Sequence, residues 1–198
     1  MDDAPAQSLL AARRDEVERH LLRRMQAGDE RAARELWGAL APPLIAFARC
    51  AGAGAGAEDA VQRVFVSLLK LPRRHADAIE SVRAYAAGAL RNDLANAARS
   101  DSRRAARETA AVRTAPRVAA STDDHAELPA AVASLHDDAR DLLLLKHVAG
   151  LTFDQLAIAL GEPRTTIASR HAAAVGALRA LMEAAAAPTA LQAAGRLS

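Results

Sequence analysis

The sequence predicts an all-α protein made of two small helical domains joined by a flexible linker, and three observations predict it. Hydrophobic residues make up 51% of the 198 residues but aromatic residues only 3%, so alanine and leucine must fill the core, which favours helices over strands. Apolar residues recur at helical spacing over most of the chain. This periodicity fades over residues 100–127. We therefore predict domains at 8–99 and 128–186 with a linker at 100–127.

The first two helices of the N-terminal domain are predicted from their end signals. Apolar residues recur at helical spacing from about residue 8 to 27, and Gly28 ends the run. Asp29 can cap the second helix because its carboxylate accepts hydrogen bonds from the free N–H groups of a first turn. Pro42 and Pro43 should bend or restart that helix, since proline removes a helical hydrogen bond.

Two further helices complete this domain. The glycine-rich run AGAGAG at residues 51–56 predicts a loop, and a third helix follows to about residue 70. Its predicted inner face includes Leu68 and Leu69. Pro72 breaks it, and a basic connection leads into a fourth helix over residues 81–98.

The C-terminal domain is predicted to hold helices at 128–135, 137–149, 152–160 and 163–186. Thr152 and Gln155 have the spacing of a capping box, in which each side chain bonds the other residue's backbone N–H. A short turn at Gly161 separates the last two helices. This pair fits both a plain αα-hairpin and a DNA-reading helix-turn-helix, and the segment alone leaves the two open.

Charge is distributed unevenly along the chain although its sum is only +2. Residues 61–116 carry eleven basic against five acidic residues, whereas residues 117–145 carry two against six. The single cysteine, Cys50, excludes an intrachain disulfide and is expected to be a small buried hydrophobe. The N-terminus lacks a basic-then-apolar signal region, and we saw no apolar run near the ~20 residues that cross a bilayer. We therefore expect a cytoplasmic protein without membrane insertion.

An enzymatic function is not predicted. The six histidines show no metal-ligand spacing with carboxylates, and no nucleophile–base motif is present. We expect no cofactor, no metal and no catalytic residue.

Several segments, taken in order, resemble one family. LLRRMQAGDERAARELWGAL, AEDAVQRVFVSLLKL and SVRAYAAGALRNDLANAARSDSRR resemble successive parts of bacterial sigma factors of the extracytoplasmic-function (ECF) group of the sigma-70 family. The stretch from LHDDARDLLLLKHVAG through LTFDQLAIALGEPRTTIASRHAAA to ALRALME resembles their C-terminal domain. The resemblance covers about residues 20–107 and 128–183. It implies a non-enzymatic protein that binds core RNA polymerase, recognises two promoter elements and helps to open the DNA.

The resemblance implies three sets of site residues. The exposed face of the third helix would bind core polymerase, through Asp59, Gln62, Arg63 and Val66. The fourth helix and the loop before it would read the minus-10 element, through Arg73, Arg74, His75, Ser81, Arg83, Arg91, Asn92 and Arg99. The start of the second helix of the helix-turn-helix would read the minus-35 element in the major groove, through Arg164, Thr165, Thr166, Ser169 and Arg170.

Four positions depart from the family pattern. Tyr85 replaces a frequent tryptophan, so fewer aromatic side chains are available to stack on DNA bases. Glu162 and Ala168 stand where a usual apolar residue and a frequent lysine would be, which weakens contact with DNA phosphates. His171 replaces a common leucine, and we interpret it as partly exposed packing. The C-terminal domain alone is therefore expected to bind DNA weakly.

Two other functions stay open at this stage. One is a stand-alone helix-turn-helix regulator that binds an operator as a dimer. The other is a sigma-derived helical interaction protein that binds polymerase without melting DNA. The partners implied by the main interpretation are core RNA polymerase and promoter DNA, and the resemblance adds an anti-sigma protein as a candidate.

Overall fold

The structure is a computed structural model that describes residues 4–108 and 127–194, and every regular element in these two ranges is helical. The N-terminal helices are α1 (Ala4–Gln26), α2 (Glu30–Ala48), α3 (Ala57–Lys70), α4 (Arg73–Asp77) and α5 (Val82–Glu108). The C-terminal helices are α6 (Glu127–Ala133), α7 (Asp137–His147), α8 (Phe153–Leu160) and α9 (Arg164–Ala194). The predicted all-α class is confirmed.

The core of the N-terminal part lies between α1, α2, α3 and α5. One face of α2 supplies Leu36, Leu40 and Leu44, each at most 1% exposed, and α3 and α5 add Leu68 and Leu90. This core continues into the C-terminal part through α7 and α8. Burial of such a leucine side chain stabilises the fold by about 1.5–3 kcal/mol.

Helix α2 continues through Pro42 and Pro43 without a break, so the predicted restart is wrong. Pro43 has no N–H to give to the carbonyl of Ala39, four residues earlier. A side chain from another helix fills this vacancy, because Arg83 Nη2 lies 2.9 Å from the Ala39 oxygen. The helix therefore continues without that backbone hydrogen bond.

Between α2 and α3 the predicted loop is a π-helical turn (Arg49–Ala53) followed by a 3₁₀ turn (Gly54–Gly56). Gly52 has φ +98°, a conformation that side chains strongly disfavour. Cys50 lies in this turn and is exposed, so the expectation of a buried cysteine is wrong. The turn packs against α7, and its Cys50 side chain is left exposed.

Helix α5 is longer than predicted and ends at Glu108, which moves the start of the linker. The arginine-rich segment after residue 98 continues the helix instead of leaving it. Helix α9 likewise continues past residue 186, to Ala194. Residues 109–126, which form most of the predicted linker, and 195–198 lie outside the described residues.

One window within Glu30–Lys70 is long and apolar enough to cross a membrane, which the sequence reading missed. This stretch comprises α2, the turn at Gly52 and α3. Its leucines at 36, 40 and 44 belong to the bundle core. We therefore interpret the window as a core segment.

Candidate polymerase-binding face and nucleic-acid interface

The predicted polymerase-binding residues form one exposed face of α3. Asp59, Gln62, Arg63 and Val66 are all exposed, and their spacing of three, four and seven places them on one side of the helix. Arg63 Nη2 lies 2.7 Å from Asp93 Oδ2 on α5. This ion pair is solvent-accessible, so it contributes little stability and leaves Arg63 available to a partner.

An apolar groove of about 580 Å³ lies beside this face. Its walls include Met25, Trp37, Val66 and Leu69. Val66 is 48% and Leu69 50% exposed, so the prediction that Leu69 faces the core is wrong. Trp37 is held against Phe65 in an edge-to-face contact with the ring centres 4.7 Å apart.

Trp37 and Leu69 are candidate binding residues that the sequence reading missed. Leu69 could have been recognised because it follows Val66 by three residues, a spacing that places both on the same face. Two exposed apolar side chains beside an aromatic ring form the kind of patch that protein partners bind.

The predicted minus-10 residues fall into exposed and enclosed groups. Arg73, Arg74 and His75 are exposed on α4, and Asn92 and Arg99 are exposed on α5. Arg99 donates a 2.7 Å hydrogen bond to Asn96 Oδ1 one turn earlier. These five side chains are accessible to DNA as the chain stands.

Arg83 is enclosed, at 6% exposure. Its Nη2 lies 2.6 Å from Glu18 Oε1 on α1 and also donates to the Ala39 carbonyl. Burial raises the pKa of Glu18, and the charge of Arg83 only partly opposes this. Arg83 as a DNA contact stays a prediction, but such a contact would require Glu18 to release it.

Ser81 is only 1% exposed and lies where both parts of the chain meet. Its hydroxyl donates to Asp15 Oδ1 at 2.7 Å and accepts from the N–H of Ala84. Gln155 Nε2 of α8 donates to the same Asp15 oxygen at 2.9 Å. These groups join α1, the start of α5 and α8 in one buried polar network.

Arg91 is held by the C-terminal part of the chain. Its Nη2 lies 2.8 Å from Asp138 Oδ1 and its Nε 2.8 Å from Asp141 Oδ2, both on α7. Burial raises the pKa of Asp141, and the neighbouring guanidinium only partly opposes this. Arg91 as a minus-10 contact stays a prediction, and its guanidinium is paired here with two carboxylates.

Helices α8 and α9 form the predicted pair around a tight turn. Thr152 and Gln155 make both hydrogen bonds of the capping box, at 3.2 and 3.0 Å, as predicted. Gly161 has φ +68° and ends α8 in the left-handed conformation. Ile167 is fully buried and fixes α9 on the domain.

The predicted minus-35 residues lie at the start of α9. Arg164, Thr165, Thr166 and Ser169 are exposed, whereas Arg170 is half-buried. Two of these residues have acidic partners within the domain, since Arg164 Nε lies 3.0 Å from Asp154 Oδ1 and Arg170 is hydrogen-bonded to Glu162. The hydrogen bond to Glu162 raises the pKa of Arg170. Glu162 thus pairs with one of the candidate arginines.

His171 packs as predicted. It is half-buried, and its ring meets Phe153 edge-on with the ring centres 5.3 Å apart. Burial lowers the pKa of His171, and the charges of His147 and Lys146 lower it further.

The two parts of the chain are in direct contact through α5 and α8. Gly88 of α5 faces the backbone of Ala159 in α8, with no room for a side chain between them. Together with the Ser81 network and the Arg91 ion pairs, this contact closes the C-terminal part onto the helix that is predicted to read the minus-10 element.

The comparisons with known proteins identify the N-terminal part. Residues 36–104 match the family model of sigma-70 region 2. The chain contains a sigma-70 region 2 domain. The matched residues run from α2 to α5, so they include the predicted polymerase-binding face on α3 and all the predicted minus-10 residues.

Two solved structures are similar to this chain over most of its length. One is the sigma factor RpoE in complex with the anti-sigma factor NepR from Bartonella quintana, with 22% identity, 76% of this chain and 96% of that chain covered, and a TM-score of 0.59. The other is CnrH in complex with the cytosolic domain of CnrY, with 20% identity, coverage of 85% and 98%, and a TM-score of 0.61. At these identities the likeness establishes the fold. No curated protein matches the chain.

Proposed function

We propose that this chain is a sigma factor of the ECF group that binds core RNA polymerase and directs promoter recognition and opening. The sigma-70 region 2 match is the observation that carries the proposal, because it spans the helices bearing the polymerase-binding face and the minus-10 residues. The exposed residues at the start of α9 support a second DNA contact, at the minus-35 element. This function places the protein in the cytoplasm.

Core polymerase is proposed to bind α3 and the groove beside it. Asp59 and Gln62 supply polar contacts, and Val66 and Leu69 supply apolar area next to Trp37. Interfaces of this composition, with an aromatic residue in an apolar centre and polar groups at the rim, are typical of stable protein contacts.

Promoter binding is proposed to require separation of the two domains. Elements two helical turns apart are about 70 Å distant on DNA, whereas α5 and α8 are in van der Waals contact here. Arg91 is also paired with Asp138 and Asp141 in the closed arrangement. The 18 residues between α5 and α6 would reach about 60 Å if extended, and the widths of the two domains add to this distance.

An anti-sigma protein is proposed as a further partner. Both similar structures are complexes, of RpoE with NepR and of CnrH with the cytosolic domain of CnrY. A partner that binds across both domains would hold the closed arrangement by mass action.

A polymerase-binding protein that does not open DNA is the second candidate. The burial of Ser81 and Arg83 favours it, since two predicted minus-10 contacts are enclosed in the closed arrangement. The shortage of aromatic side chains points the same way, because base stacking stabilises melted DNA.

Run-off transcription tests these functions. Purified core polymerase is given a promoter library with and without the protein, and transcripts from a defined promoter set are expected only with it. Polymerase binding without transcripts would support the second candidate. Stable operator binding without polymerase would support a stand-alone regulator.

A matched pair of variants tests the polymerase-binding face. Val66→Glu should lower affinity for core polymerase, whereas Val17→Glu should leave it unchanged. Val17 is 58% exposed on α1, away from the groove, so both substitutions add one charge at an exposed valine. Equal affinities for the two variants would contradict the assignment of this face.

A further inference from the structure

Two histidines that are far apart in sequence meet in the C-terminal domain. His147 is the last residue of α7 and His171 lies two turns into α9. Their Nε2 atoms are 2.9 Å apart, and the ring centres are 5.2 Å apart. His147 is exposed, so solvent and ions can reach the pair. No local sequence pattern predicts this pair, because 24 residues separate its members.

The position of the two nitrogens suits a shared metal ion. A metal ion binds imidazole nitrogens at about 2.0–2.1 Å. Two such nitrogens then lie roughly 2.9–3.4 Å apart, the shorter distance for the octahedral nitrogen–metal–nitrogen angle and the longer for the tetrahedral one. The observed separation lies at the octahedral end of this range. An ion here would replace the hydrogen bond that now joins the rings.

Phe153 and the end of α7 favour a metal ion at this position, whereas Lys146 disfavours it. Phe153 packs edge-on against His171 and restricts its ring, which prepares the orientation of Nε2. The C-terminal end of α7, where His147 stands, carries the partial negative charge of the helix dipole. Lys146 opposes a cation, and its Nζ lies 5.1 Å from the centre of the Phe153 ring.

We propose that His147 and His171 bind one transition-metal ion of the imidazole-preferring class, such as Ni²⁺ or Zn²⁺, and thereby clamp α7 to the recognition helix α9. No group of three metal-ligating side chains occurs in the part of the chain that the structure describes. Water therefore completes the coordination, which makes the site one of moderate affinity. The site is independent of polymerase and DNA.

Thermal unfolding of the full chain, purified without a histidine tag, tests the proposal. Ni²⁺ and Zn²⁺ should each raise the Tm, EDTA should reverse the rise, and Mg²⁺ should have no effect, because Mg²⁺ prefers oxygen ligands. Isothermal titration with Ni²⁺ should give one ion per chain. Failure of Ni²⁺ and Zn²⁺ to bind would overturn the proposal.

Single substitutions locate the ion. His147→Ala removes an exposed ring that is not part of the core, so the variant should fold, and its metal-dependent rise in Tm should vanish. His171→Gln should lose the rise as well, while His75→Ala on α4, also an exposed histidine, should keep it. A rise in Tm that persists in His147→Ala would place the ion elsewhere and refute the clamp.

Discussion

The backbone of Ala159 in α8 lies so close to Gly88 in α5 that a Cβ on residue 88 would stand 2.6 Å from the Ala159 carbonyl oxygen. Real Cβ atoms do not approach backbone oxygens this closely, and a backbone atom cannot swing aside as a side chain can. The closed arrangement of the two domains therefore depends on glycine at this position.

Gly88→Ala should push the domains apart. The added methyl group cannot fit between α5 and α8, so the closed state loses its closest contact and part of the core that α7 and α8 share with the N-terminal helices. Small-angle X-ray scattering should show a larger radius of gyration than for the unsubstituted chain.

Gly176→Ala on α9 is the matched control. It is also a helical glycine, but a Cβ there has no atom within 4 Å. Both substitutions remove about 1 kcal/mol of unfavourable helix propensity, so a difference between them reports the domain contact. An unchanged radius in Gly88→Ala would argue against this packing in solution.

Asp138→Asn combined with Asp141→Asn should release Arg91. The two carboxylates hold its guanidinium at 2.8 Å each, and amides attract it far less. We expect tighter binding of single-stranded DNA, measured by fluorescence anisotropy. Because burial raises the pKa of Asp141, this carboxylate should be protonated at a higher pH than an exposed aspartate. Lowering the pH should therefore weaken its contact with Arg91, as the substitutions do.

The control for these substitutions is Glu16→Gln combined with Glu183→Gln. Both residues are exposed, so this variant also removes two negative charges but leaves the ion pairs of Arg91 in place. If this variant binds single-stranded DNA as tightly as the first, the gain comes from net charge and the Arg91 contact is irrelevant to it.

Arg83→Met should destabilise the N-terminal domain by about 3–5 kcal/mol, the usual cost of leaving one member of a buried ion pair alone. It removes the partner of Glu18 and the donor to the Ala39 carbonyl that Pro43 leaves free. Urea unfolding measures the loss.

Adding Glu18→Leu should recover part of that stability. The pair is imperfectly satisfied, since Glu18 Oε2 and Arg83 Nε make no hydrogen bond within the described part of the chain. Removing both charges therefore also removes their desolvation cost. A double variant that is less stable than Arg83→Met would show that Glu18 is stabilising in its own right.

Glu162→Gln should strengthen binding to duplex DNA by freeing Arg170. The pair is partly exposed, so the gain should not exceed about fivefold, as expected for an ion pair worth up to about 1 kcal/mol. Anisotropy with a duplex selected by the unsubstituted chain measures it. Glu183→Gln also removes one negative charge but should give a smaller gain in affinity for duplex DNA. An equal gain would count against competition by Glu162.

The elements of the fold were largely predictable because their signals are local. Asp29 caps α2, and Thr152 and Gln155 begin α8 through hydrogen bonds within one turn. Sequence patterns carry such information directly. Pro42 and Pro43 misled the prediction because the compensating donor, Arg83, comes from a helix more than forty residues away.

The candidate sites were less predictable, because helical spacing gives the face of a residue but not its partners. It placed Asp59 and Val66 correctly on an exposed face. It could not show that Arg91 meets α7 or that Ser81 is enclosed by α1 and α8. Contacts between domains depend on how the two surfaces fit, which no local pattern records.

The amide oxygen and the amide nitrogen of Gln155 make separate contacts. Its oxygen accepts from Thr152 and starts α8, while its nitrogen donates to Asp15 on α1. Domain opening therefore breaks only the nitrogen's contact and leaves the helix start intact. The α8–α9 pair can separate from α1 while it stays folded, so it needs no refolding before it binds DNA.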